Sequence, residues 1–151
     1  AVRVVEPMAS VDVGALVDRA LPAVGEAAGA AGLEIDGPPY VRYHDWGDAT
    51  ADLEIGFPVR GEPAAMARHA TMGEAVPGGG PGRSALPGGP CAALVHVGPY
   101  PDLPATWGRL MNWIWEQGLD PAGPPWESYP DNPDLVAPAD LRTEVVRPLR
   151  A

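Results

Sequence analysis

Two glutamates stand at matched places in the chain. One opens Glu54-Ile55-x-x-Pro58-Val59 and the other opens Glu144-Val145-x-x-Pro148-Leu149. A carboxylate among aromatic rings attracts a cation and is costly when left unpaired. If Glu54 and Glu144 converged across a two-fold axis, like-charge repulsion would raise one pKa. That carboxyl would then serve as a general acid or base near neutral pH. Both are therefore candidate catalytic residues. The competing role for each is a solvent-facing strand carboxylate paired with an Arg.

The aromatic set points the same way. There are five Trp and four Tyr but one Phe. Trp and Tyr join an apolar body to a polar handle, which suits cores and ligand pockets alike. Trp126, Tyr129, Tyr40 and Tyr43 occupy corresponding positions in two halves of the chain, so they are candidate pocket walls. A packed core is their alternative. Trp107 shares a helix face with Leu103, Leu110, Met111 and Ile114, which favours the core over ligand contact. Trp115 lies at the edge of that face and Trp113 well off it, so each needs another partner, either a ligand or solvent. Glu127 neighbours these aromatics, and its side chain would turn either way.

Other reactive residues carry less. His96 reads as a satisfied strand histidine. Cys91 is the single cysteine, which excludes an intrachain disulfide and a clustered Cys metal site. An inert buried thiol is its default role. His44, His69 and His96 are far apart in sequence, and the glycine runs lack the helix and Lys of a phosphate-binding loop. No metal or organic cofactor is implied.

The elements that must position these residues come in duplicate. Gly32-Leu33-x-x-x-Gly37-Pro38-Pro39-Tyr40-x-x-Tyr43 recurs as Gly118-Leu119-x-x-x-Gly123-Pro124-Pro125-Trp126-x-x-Tyr129. With the two glutamate motifs this defines a repeated unit of about 60 residues. Each copy reads as strand, helix, strand, strand. In copy one the strands are Val2–Val5, Tyr40–Asp45 and Asp52–Val59, the last two joined by a turn at 45–48. The helix runs from Asp12 to Ala31 with Leu16, Ala20 and Val24 at helical spacing. Pro22 should kink that helix or mark its start, and Gly32 should stop it. In copy two the strands are Cys91–Val97, Trp126–Tyr129 and Leu141–Leu149. A helix capped by Asp102 runs to Gln117 and stops at Gly118. Repeat one spans 1–60 and repeat two 91–151. Residues 61–90, rich in Gly and Pro, read as a mobile linker. The expected fold class is α+β: one antiparallel sheet with two helices on one face.

Composition bounds the partners. The 151 residues carry 20 Asp and Glu against ten basic residues, all Arg, for a net charge of −10. Phosphate neutralisation needs a basic surface, so nucleic acid is excluded. No run is long enough to span a membrane and no signal peptide is visible. The default expectation is a soluble, cytoplasmic protein.

The ordered motifs resemble the GyrI-like small-molecule-binding domain, also called the effector-binding domain of multidrug-responsive regulators. They are Leu86-Pro87-Gly88-Gly89, His96-Val97-Gly98-Pro99-Tyr100, the Gly118 to Tyr129 run, Leu141-Arg142-Thr143-Glu144-Val145 and Pro148-Leu149. The resemblance covers nearly the whole chain, with 62–80 looking like an insertion. It implies paired pseudo-twofold repeats and a cleft between them that binds bulky aromatic, often cationic drugs through aromatic side chains and a buried Glu. The family's Glu in the last strand matches Glu144, and Tyr100 matches a corner position whose role is a structural hydrogen bond. No helix-turn-helix is visible, so the chain resembles stand-alone members. Three functions follow as expectations. The first is a binding protein that sequesters or detoxifies xenobiotics. The second is a hydrolase that opens the cyclopropane of DNA-alkylating natural products and confers self-resistance. The third is an inhibitor of a protein partner such as gyrase.

Overall fold

The computed structural model describes residues 1–151. The chain divides into two compact units, Ala1–Leu86 and Pro87–Ala151. The first contains strand β1 (Val2–Pro7), helix α1 (Val13–Ala30), β2 (Glu34–Ile35), β3 (Tyr40–Trp46), β4 (Thr50–Gly56), β5 (Val59–Arg60) and helix α2 (Pro63–Thr71). The second contains β6 (Cys91–Val97), helix α3 (Leu103–Glu116), β7 (Trp126–Ser128) and β8 (Arg142–Pro148). This is the α+β class expected, with strand, helix, strand, strand in each unit. No helix is long and apolar enough to cross a membrane.

In the first unit the strand order is β1-β4-β3, all antiparallel. Ala51, Leu53 and Ile55 alternate onto one face of β4 and are fully buried, as a period of two requires. Helix α1 packs on this strand and buries Leu16, Ala20, Val24 and Ala28, one residue per turn. Its N-terminus is capped by Asp12, whose carboxylate accepts from the Ala15 amide at 3.0 Å. Gly32, with φ +73°, stops the helix, and the Leu33 amide returns to the Ala28 carbonyl at 2.9 Å. The helix runs through Pro22 instead of starting or breaking there. Pro22 is exposed, so its ring and its missing N–H lie toward water.

The second unit repeats the plan with order β7-β8-β6. Ala92, Leu103, Leu110, Ile114 and Val145 form its core, with Trp107 and Met111 packed at the margin. Truncating a fully buried side chain such as Ile114 to Ala would cost about 2–5 kcal/mol. Asp102 precedes α3 but makes no side-chain cap; a short 3-10 turn at Tyr100–Asp102 takes that place.

The structure departs from the sequence reading between the repeats. Residues 63–71 form α2, with Pro63 in its first turn and Ala65 buried against Ala28, Ala31 and Leu33. Beyond it the chain is tied down as a strap. Gly78 donates to the Arg3 carbonyl at 3.0 Å, and Arg83 and Ala75 bridge the base of the loop. Arg83 Nε also donates to the Met72 carbonyl at 2.8 Å. The last strand of copy one is also broken. Β4 ends at Gly56, and Val59–Arg60 pairs separately with Glu34–Ile35, because Pro58 has no N–H to continue a ladder.

Candidate functional site

Glu54 lies on β4 among the residues that alternate away from α1. It is 3% exposed, yet its carboxylate is saturated with donors. Tyr40 Oη donates to Oε1 at 2.9 Å and Ser84 Oγ to the same oxygen at 2.7 Å. His44 Nε2 donates to Oε2 at 3.0 Å, since an ionised carboxylate only accepts. Burial pushes the Glu54 carboxyl up, but the bonds from His44, Ser84 and Tyr40 outweigh it and hold it below the ordinary value. Burial, and then the Glu54 charge, push the Tyr40 phenol well above its ordinary value. Beside them Arg3 grips Asp52 with two hydrogen bonds of 2.7 Å.

Strand alternation places Tyr40, Arg42 and His44 on the face of β3 that meets Glu54. Past His44 the register shifts: Tyr43 pairs with Leu53 and Asp45 with Asp52. This bulge lets Tyr43 and Trp46 share the opposite face, where they meet edge-on at 5.4 Å. Tyr40 and Tyr43, matched as pocket walls, are thus separated: Tyr40 joins Glu54, and Tyr43 does not.

The second unit holds another buried carboxylate, on the helix-covered side of its own strands. Glu127 is opposite Val145, so it points under α3 and is 4% exposed. Trp107 Nε1 donates to Oε1 at 2.7 Å and Tyr129 Oη to Oε2 at 2.5 Å. Tyr100 meets the Tyr129 ring edge-on at 5.8 Å. Burial and the charge of Asp131 raise the Tyr100 phenol. Trp107, read as core, is half-buried and holds this acid.

The face of the second unit's sheet away from α3 is different in character. Glu144 is exposed there, unlike its repeat mate Glu54. Val95 lies opposite it and Val97 opposite Arg142, and these two valines are 53% and 64% exposed. Trp126 pairs with Val146, two residues from Glu144, which makes the two residues diagonal neighbours on one face, their backbone positions about 7–8 Å apart. Cys91 is also exposed, correcting the buried thiol expected of it. Trp113 and Trp115 are 46% and 64% exposed on the outer side of α3. They take the solvent alternative within their own unit.

His96 is the satisfied strand histidine expected of it. Its Nε2–H donates to the Pro99 carbonyl at 3.1 Å, and Nδ1 accepts from the Thr106 hydroxyl at 2.7 Å. Two members of the Glu54 cluster escaped the sequence reading. For His44 the available signal was its alternation with Tyr40 along one strand, and Ser84 sits in the stretch read as linker. No group of His, Cys, Asp and Glu in the structure is arranged to hold a metal ion.

Residues 61–150 match the family described as GyrI-like small molecule binding domain. Among solved structures, the EcmrR C-terminal domain is similar at a TM-score of 0.63 and 19% identity, over 99% of this chain and 88% of that one. The EcmrR–DNA complex gives 0.59 and 20% identity over 98% of this chain, which spans only 52% of the EcmrR chain there. A hydrolase encoded by lin2189 from Listeria innocua gives 0.53 and 14% identity, over 78% of this chain and 64% of that one. At these identities the likeness is one of fold. No curated protein matches the chain.

Proposed function

The chain belongs to the GyrI-like small-molecule-binding domain family, and on that premise we propose that it binds a bulky, flat, cationic aromatic molecule. The binding surface is the open sheet face of the second unit, with Trp126 as stacking platform and Glu144 as counter-charge. One observation carries this reading: an exposed carboxylate lies beside a half-buried indole and two exposed valines on the same face. Exposed contiguous apolar surface on a sheet commonly marks a binding site, and a cation held near both a carboxylate and an indole gains from each. The cellular role is sequestration or detoxification of a xenobiotic.

The buried carboxylates serve this reading less directly. Both oxygens of Glu54 and of Glu127 already accept hydrogen bonds, so they brace the scaffold. Hydrolysis of a strained ring is the second reading. It is favoured by the exposure of Glu144, since an accessible carboxylate has lone pairs free to orient water.

Titration with a cationic aromatic dye and its neutral isostere tests the first reading through tryptophan quenching. Quenching that is lost in Trp126→Ala, and weakened in Glu144→Gln for the cation only, is the expected result. Equal weakening for cation and isostere would contradict an electrostatic role for Glu144. Incubation with a spirocyclopropane alkylator followed by mass analysis tests the second: a product heavier by one water means catalysis.

A further inference from the structure

We propose that the second unit pairs with a second copy of this chain through the outer edge of β6 and the flank of α3 beside it, about a two-fold axis. β6 ends the strand order of its unit, so one row of its backbone N–H and C=O groups has no ladder partner. None of its seven residues is Asp, Glu, Lys or Arg. Cys91, Ala93, Val95 and Val97 are exposed on one face, and Leu94 on the other is only half-buried. An edge of this length and character is a template for another strand. The edge strand of the first unit, β1, is guarded by contrast. Arg3 and Glu6 are ion-paired, Pro7 ends the strand, and the strap bonds to Arg3.

The flank of α3 selects the partner. Thr106 meets His96 of β6 at 2.7 Å and Trp107 meets Glu127 of β7 at 2.7 Å, so the Thr106 side of the helix lies toward the open edge. Arg109 is on that side, bonded to Thr106. Trp113 lies two helical turns from Thr106 on the same side and is exposed. Arg109 and Glu116, both exposed, stand one turn to either side of Trp113. A two-fold axis there sets two such flanks antiparallel: Trp113 meets its own copy, and each Arg109 faces the Glu116 of the other chain. Antiparallel pairing of β6 about Leu94 sets Ala93 opposite Val95 and Cys91 opposite Val97 of the second copy, matching exposed face to exposed face. Leu94 is about 7 Å along β6 from His96. Trp113 is about 10 Å along α3 from Thr106, and its side chain leans back toward the helix N-terminus. One axis therefore serves strand and helix. A net charge of −10 opposes self-association in general, but β6 carries no acid and Glu116 meets an arginine. A foreign strand would satisfy the β6 backbone without matching this symmetry.

Sedimentation of the intact chain over a range of concentrations tests the pairing. The expected result is a reversible monomer–dimer equilibrium that Trp113→Glu weakens by about tenfold or more, the scale of losing an interface tryptophan. Arg109→Glu should also weaken it, and adding Glu116→Arg to that variant should restore it. Cross-linking reads the register. In a Cys91→Ser background, oxidising a mixture of Ala93→Cys chains and Val95→Cys chains should give a covalent dimer, and either chain alone should not. Opposite residues in the ladder stand about 4.5–5.5 Å apart, within disulfide reach. If Trp113→Glu does not fold, the cross-link decides the question. A monomer at every concentration would overturn the proposal. So would a dimer indifferent to Trp113→Glu, or one whose mixture yields no cross-link, since the contact would then lie elsewhere.

Discussion

Ser84 donates a 2.7 Å hydrogen bond to Oε1 of Glu54, fastening a strap of glycine and proline to a buried carboxylate thirty residues earlier in the chain. The strap has other ties, through Gly78 to Arg3 and through Arg42 to the Ala85 carbonyl at 3.3 Å. The Ser84 bond ends on a buried carboxylate.

Ser84→Ala should therefore cost more than its exposure suggests. A hydrogen bond to a buried anion is among the stronger kind, and its loss leaves Glu54 less compensated. We expect destabilisation of about 1–3 kcal/mol, read from urea denaturation. Hydrogen exchange at Gly78 and Gly82 should accelerate while exchange at the buried β4 amides of Leu53 and Ile55 changes little by comparison. Uniform acceleration across the unit would show that the strap and sheet open as one.

The acid limb of stability should carry the signature of Glu54. Its carboxyl is held below the ordinary 4.5 in the folded state. Its contribution is thus fully present above about 4.5 and is lost as pH falls through the folded value. Asp52 acts in the same direction through its bonds to Arg3, and Asp131, held down to about 2 by Arg142, does so at the surface. Glu54→Gln should be less stable than the parent at neutral pH, with the gap narrowing below pH 4. A gap that stays constant across that range would mean that Glu54 does not titrate in the folded protein as its surroundings imply.

Glu127 and Trp107 should be energetically coupled. The indole reaches the carboxylate from α3 at 2.7 Å, so each residue fixes the other across the helix–sheet layer. Glu127→Gln keeps one accepting oxygen and turns an amide toward a former donor, for about 1–3 kcal/mol. A double-mutant cycle with Trp107→Phe should give a coupling of about 0.5–3 kcal/mol. Strict additivity would reduce the contact to packing.

Much of the scaffold was legible because it rests on local patterns. The duplicated motifs, the period-two burial of β4 and the one-residue-per-turn stripe of α1 all lie in the order of residues. The α2 helix did not announce itself: only Ala65 of its nine residues is buried, and glycine and proline surround it. The contents of the Glu54 cluster were less legible still. His44 shares a strand face with Tyr40 by alternation, but nothing local in the sequence says that Glu54 is what this face meets. Glu127 belongs under α3 because it stands opposite Val145. That orientation follows only from the pairing partner, which a three-residue strand does not specify. The contrast between buried Glu54 and exposed Glu144 likewise lies beyond the repeat. The two share a sequence motif, but Ser84 and His44 have no counterpart bound to Glu144.

Val95 offers the sharpest probe of the open face, because it stands opposite Glu144 in the β6–β8 ladder and is 53% exposed. A lysine there would pair with Glu144 across the strands, a contact worth about 0.2–1 kcal/mol, and compete with a bound cation. A glutamate would add a second negative charge to the same patch. Val95→Lys should therefore weaken a cationic aromatic dye about two- to fivefold, and Val95→Glu should strengthen it by a similar factor, both within the range of one cross-strand charge pair. Raising the salt concentration should shrink both effects, since charges exposed to solvent are screened. Each substitution removes the same apolar surface, so opposite signs isolate the charge from the packing. Weakening of equal size by both would assign the dye contact to the valine itself and remove Glu144 from the proposed site.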